Sequence, residues 1–258
     1  MDKFYYQITL AYDGQKYFGW QIQSETDSTI QGILNNSFKE VTGITKFRTI
    51  GSGRTDAGVH ALGQIVLFEV LNKLPESVFL KGVNQRLPSD IKIISVKEVK
   101  QSFHPIFSAL SKTYEYVLAL DTLPPFLGKN FLNYSYPIDI ELLTNGIKCF
   151  VGKYDFCNYF CVGTEVSSTV RTILNASVSK ESQFTYGEYA VSGKFLKFEF
   201  TGTGFLKQQV RLMMGALLSL NEGKITLSEL KDSLKGSKIK HLAPVAPACG
   251  LYLKSVQY

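Results

Sequence analysis

A chain of 258 residues is long enough to bury a substantial core, either as one large domain or as two small ones closing on each other. Its formal charge of +6 comes with an ordinary charged fraction and no polybasic tail, which favours a folded basic face over a disordered arm and admits a polyanionic partner. The four cysteines, Cys149, Cys157, Cys161 and Cys249, form no CxxC pair and stand apart from His60, His104 and His241, which argues against a disulfide framework and against structural zinc; Cys157 and Cys161 read as packing residues.

The stretch MDKFYYQITLAYDG lacks the basic segment and long apolar run of a signal peptide. No run of about eighteen uncharged apolar residues occurs either, so a soluble cytoplasmic protein without membrane association is expected. Residues 5–12 alternate as a strand, 28–43 carry helical spacing with a Ser-Thr start and a Gly stop, and 46–50 and 64–70 are β-branched runs. A second helix is expected over 76–87 and a strand over 91–99. Pro105 then blocks helix in SFHPIFSALSK (102–112), where the periodicity resets. Beyond it come a strand over 113–120, a proline-bearing loop over 121–130, a helix over 139–152, strands over 169–180 and 194–200, a helix over 204–223 and a last strand over 250–258. A strand, helix, strand, strand, helix, strand order therefore fills the first hundred residues and recurs more loosely afterwards. The expected fold is α+β in two similar halves, residues 1–104 and 105–258, each a mixed or antiparallel sheet covered by helices.

One stretch carries chemistry on its face. GSGRTDAGVHALGQ, residues 51–64, sets an arginine, an aspartate and a histidine among four glycines. As a dinucleotide loop it fails where Asp56 stands in place of the third glycine, and as a P-loop it fails where Val59 and His60 replace Lys-Ser/Thr. As a metal site it offers Asp56 and His60 four apart, with no helix to align them and no further acids nearby. As an ordinary turn it pairs Arg54 with Asp56 in solvent, a pair of little energetic weight.

Several segments taken together raise the stretch above that last reading. GRTDAGVHALGQ resembles the signature of the TruA family of tRNA pseudouridine synthases. The resemblance continues in AYDGQKYFGWQIQ (11–23), STIQGIL (28–34), VNQRLPSDIKI (83–93), FSALSKTYEY (107–116), SSTVRTI (167–173), GTGFLKQQVRLMMG (202–215) and GLYLKSVQY (250–258), almost the whole chain. It implies the pseudouridine synthase fold with a central basic cleft, where the 51–63 loop meets the strand at 113–120 and the helix at 204–220. It also implies a homodimer acting on tRNA, and isomerisation of uridine at nucleotides 38, 39 and 40 of the anticodon stem-loop.

That reaction moves a base from N1 to C5 of the same ring without net oxidation, so no cofactor and no metal are expected. By resemblance Asp56 is the nucleophile, a carboxylate able to attack carbon or stabilise cationic sugar character and leave again. Burial would neutralise it unless a cation compensates, and Arg211 matches the family arginine in that role. Tyr114 matches the tyrosine that packs on the target base, and Arg54 the arginine that offsets the lost stacking of a flipped nucleotide. Substrate phosphates are expected at Arg54, Lys112 and Arg171, with Lys16 a further candidate; apart from Arg54 these read as solvated surface charges. His60 reads as a shaping or hydrogen-bonding residue. The chain departs from the family pattern at Ile22 and Ile106, where relatives carry arginine, and at Gln209, where they carry methionine. Two rival readings are a non-catalytic RNA-binding protein on the same fold and a metal-dependent RNA hydrolase using Asp56 and His60.

Overall fold

In the computed structural model, which describes residues 3–186, 189–236 and 241–258, strand β1 (Phe4–Tyr12) is buried along most of its length. Its near-continuous apolar run suits a strand covered on both sides. The chain divides into two compact units, Met1–Leu110 with Leu253–Tyr258, and Ser111–Tyr252.

In the first unit β1 leads to helix α1 (Ile30–Thr42). Thr29 caps that helix by accepting the Gly32 N–H at 3.2 Å, and Gly43 ends it in the left-handed region, its N–H bonded to Lys39. Strand β2 (Phe47–Gly51) pairs antiparallel with β3 (His60–Val70), and β3 pairs antiparallel with β1, Ile8 opposite Val66. A π-helical segment, Val78–Val83, runs into the short helix α2 (Asn84–Arg86), and β4 (Ile91–Glu98) closes the far side of β1. The sheet order is completed by residues 253–257, which lie beyond β3; a Cβ on Gly63 would stand 2.6 Å from the Lys254 carbonyl oxygen. The core is aromatic, with Phe38 of α1 and Phe79 of the π segment stacked at 5.7 Å and both against Phe68 of β3.

The second unit is built on strand β5 (Ser111–Ala119). Helix α3 (Pro125–Gly128) precedes β6 (Leu132–Asn133), which runs parallel to the end of β5. Helix α4 (Ile140–Lys148) precedes β7 (Gly152–Asp155), and the two longest strands follow, β8 (Val170–Tyr186) and β9 (Tyr189–Gly202). The sheet order is β5-β9-β8-β7, antiparallel throughout, with Tyr116 opposite Phe198. Helices α5 (Gln209–Asn221) and α6 (Leu227–Asp232) come next, and the chain leaves the unit through the start of β10 (Leu251–Gln257). Gly146 lets α4 approach α5, since a Cβ there would stand 2.6 Å from Leu220.

The α+β class and its sheets follow the sequence reading; several boundaries do not. The expected 76–87 helix is mostly π-helical, with Gly82 facing Val41 of α1, and it ends where Pro88 holds Leu87 extended. The expected loop at 121–130 contains α3, with Pro125 in the first turn where its missing N–H is harmless. The 139–152 helix stops at Lys148, before Gly152, at φ +131°, opens β7. Among the described residues no helix is long and apolar enough to cross a membrane.

Candidate active site

Asp56 is half-buried and opens a turn, its carbonyl oxygen accepting the Val59 N–H at 3.2 Å while Gly58 takes φ +77°. A residue with a Cβ would resist that angle. The turn is braced from two directions. From the 14–20 segment, the Trp20 N–H donates to the Thr55 carbonyl at 3.1 Å, and the Gly58 N–H donates to the Tyr17 carbonyl at 3.3 Å. The approach is so close that a Cβ on Gly14 would lie 1.9 Å from the Val59 carbonyl oxygen, and one on Gly19 2.6 Å from that of Thr55. From β3, the buried Gln64 carboxamide accepts from the Ser52 hydroxyl at 2.7 Å and from the Gly53 N–H at 3.3 Å, and donates to the Gly53 carbonyl at 2.7 Å. The Tyr12 hydroxyl reaches Thr55 Oγ1 at 2.8 Å, and burial pushes its pKa up, so the phenol stays neutral.

His60 is 1% exposed and works inside this frame. Its Nδ1 lies 3.3 Å from the Gly14 N–H donor and 3.2 Å from Asp13 Oδ1, so it ties the end of the turn to the segment that braces it.

The cations divide. Arg54 is exposed on the loop itself, and Lys16 is exposed and paired with Asp90 at 3.1 Å. Arg171 is partly buried, its Nη1 donating to the Ser168 and Val170 carbonyls at 2.9 and 2.7 Å, and burial lowers its pKa. Lys112 corrects the expectation of a solvated surface charge. It is 9% exposed on β5, opposite Gly202 of β9, and burial lowers its pKa. The reason is that β5 is covered along nearly its whole length, so even its polar positions lie inside.

In the second unit Tyr114 sits on the same strand, opposite Phe200, with its ring edge-on to Phe205 at 5.1 Å. Arg211 lies in the first turn of α5 and is locked to the 244–246 segment in both directions. Its Nε donates to the Ala246 carbonyl at 2.8 Å and its own carbonyl accepts the Ala246 N–H at 3.1 Å. Gly215 makes this possible, because a Cβ there would lie 1.9 Å from the Pro244 carbonyl oxygen. The guanidinium is close enough to Tyr116 to oppose, though not overcome, the rise in that phenol's pKa caused by burial. The helix starts abruptly. Gln208 takes φ 64°, rare for a residue with a side chain, and the buried Gln209 closes the turn by accepting the Leu206 N–H at 2.8 Å. Its Nε2 is buried without a hydrogen-bond partner among the described residues.

Three contributors went unremarked in the sequence: Gln64, Phe205 and the 244–246 backbone. Gln64 left a signal, being the only polar residue at the head of the apolar run QIVLF. The backbone carbonyls left none. Among the described residues, no group of three or more histidine, cysteine, aspartate or glutamate side chains is placed to hold a metal.

Residues 8–108 and 147–258 match the family described as tRNA pseudouridine synthase. A tRNA pseudouridine synthase A of Thermodesulfovibrio yellowstonii is 32% identical over 253 residues, covering 98% of each chain. Those of Streptococcus agalactiae serotype Ia and of a Geobacillus species are each 34% identical, covering 98% of this chain and 95% and 97% of theirs. Matches of this length put the protein among the isomerases that convert uridine to pseudouridine. The chain belongs to the tRNA pseudouridine synthase family.

Proposed function

We propose that the protein converts uridines at nucleotides 38, 39 and 40 of the tRNA anticodon stem-loop to pseudouridine, acting as a cytoplasmic homodimer. Asp56 is the nucleophile in this reading, Arg211 the cation that keeps it ionised, and Tyr114 the ring that stacks on the target base. Arg54, Lys112 and Arg171 contact the RNA. The observation that carries the proposal is the bracing of the Asp56 turn by Gln64 on one side and Gly14 and Gly19 on the other. A reaction without cofactor depends on a nucleophile held in one place, and a carboxylate on a mobile turn would lose the advantage of fixed orientation.

The bonds balance within the nucleoside. The N1–C1′ bond breaks, the base turns, C5 bonds to C1′, the C5 hydrogen leaves as a proton, and N1 gains one. A carboxylate serves on either the sugar or the ring because its adduct can reverse. Tyr114 offers an aromatic face of fixed tilt, held edge-on by Phe205, to a base that has left its own stack. Arg54 is exposed two residues before Asp56, where a planar cation can fill part of the space vacated in the RNA.

The test is tritium release from tRNA carrying 5-labelled uridine. The native protein should release it, and Asp56→Asn should bind the same tRNA without releasing any. Release at the native rate from Asp56→Asn would overturn the mechanism, and pseudouridine mapped only outside the anticodon stem-loop would overturn the proposed target. Sedimentation of the free protein reads the dimer.

A further inference from the structure

The loop between β4 and the end of the first unit holds an aromatic ring out into solvent. Phe107 is 83% exposed. Leaving a phenylalanine side chain uncovered forgoes the free energy of its burial, and a flexible loop would let the ring fold back. Here the loop is fixed. The Ser108 hydroxyl accepts the His104 N–H at 3.0 Å, and the Ser108 N–H returns to the His104 carbonyl at 2.9 Å. His104 Nδ1 accepts the N–H groups of Ile106 and Phe107 at 3.2 and 3.3 Å, which sets the plane of the imidazole. The Phe107 ring lies against that plane, centroids 4.4 Å apart and tilted 30°.

The mount is also connected to the Asp56 loop. The Tyr258 hydroxyl donates to the Pro105 carbonyl at 2.8 Å, its ring packs on Phe103 at 4.9 Å, and its hydroxyl lies within electrostatic reach of the Ser52 side chain. Ser52 in turn bonds to Gln64, which grips Gly53. An object resting on Phe107 is therefore held in a fixed relation to the Asp56 loop through one chain of contacts inside the first unit.

We propose that Phe107, mounted on His104, is a stacking platform for an unpaired base of the tRNA substrate, close to the uridine that reacts. This rests on the reading of the protein as a tRNA enzyme using the Asp56 loop. A uridine taken out of its stack leaves neighbouring bases with open faces, and every base has such a face, so a rigid aromatic ring suits RNA whatever its sequence. Ile22 and Ile106 of the same unit are likewise exposed.

The experiment measures binding of an anticodon stem-loop RNA carrying 2-aminopurine at each unpaired position in turn. With the native protein at least one position should be quenched. Phe107→Ala should abolish that quenching and raise the Kd about 5- to 150-fold, the range for losing one base–aromatic stack. Phe107→Trp should restore both, and Phe107→Leu should not. Turnover should show the loss in KM, with kcat little changed. Equal affinity for Phe107→Leu and native protein would show that mere apolar contact suffices and overturn the platform. So would an unchanged Kd in Phe107→Ala, and a shift in oligomeric state at unchanged RNA affinity would mark the ring as a protein contact instead. The binding readouts do not require turnover, so a protein that stacks the base but releases no tritium would sink the proposed function and leave the platform standing.

Discussion

The turn bearing Asp56 and the helix end bearing Arg211 hold their functional side chains by opposite means. The turn is gripped by its surroundings: glycines at 14 and 19 bring another stretch of backbone against it, and one buried carboxamide satisfies both backbone groups of Gly53. At the helix end the functional side chain does the gripping itself, since Arg211 Nε is spent on the Ala246 carbonyl. On the proposed function, the turn is held by the backbone and carboxamide around it, whereas the arginine combines the anchoring of its own segment with a part in the chemistry. Substitution at Arg211 should therefore cost stability as well as turnover.

The largest expected effect is Asp56→Asn, a loss of about 10⁴-fold or more in turnover, read by tritium release. Turnover near the native rate would remove the carboxylate from the chemistry and the turn from its side of the contrast. Next come Gly14→Ala and Gly215→Ala, each placing a methyl 1.9 Å from a carbonyl oxygen. Each should cost about 3 kcal/mol, or about 10 °C in Tm. The first should disturb the turn, and the second should push residues 244–246 off α5 and release Arg211. Arg211→Lys keeps the charge but gives up the Nε donor, so a fall of about 100-fold in kcat together with a lower Tm is expected.

The smallest effect sharpens the contrast from the side of solvation. Lys112→Met should remove the pH dependence of stability that this buried ammonium brings. The sign against pH follows from the lowered pKa of Lys112. The unfolded chain holds the proton up to about 10.5 while the folded protein releases it earlier, so native stability rises with pH across that interval. The Tm of the native protein should therefore gain on that of Lys112→Met as pH approaches 10.5, and melts over pH 7 to 10.5 would show it.

The sequence exposed these two regions unequally. The turn announced itself, because close backbone approach needs glycine and glycines are visible in a string of letters. The capping of α1 was legible for the same kind of reason, a hydroxyl before the helix and a glycine after it. The anchor of Arg211 was not, since a backbone carbonyl at Ala246 has no residue-specific mark. Lys112 reads as surface at the end of the 102–112 segment, and only the earlier start and the coverage of β5, which begins at Ser111, put it inside. The start of α5 was set too early, at 204, since nothing in GFLKQQ foretells that Gln208 would take a positive φ. The Thr226 and Glu229 pair caps α6 from both sides and is legible in the sequence as a hydroxyl three residues before a glutamate.

The sheet of the first unit draws a strand from residues 253–257, after the whole of residues 111–252. On the ribosome the edge of β3 along residues 60–65 must wait, its backbone groups open to any passing strand, for roughly ten to forty seconds of synthesis at common elongation rates. The second unit has all of its strands by then. Folding of the nascent protein therefore finishes at the end that was made first.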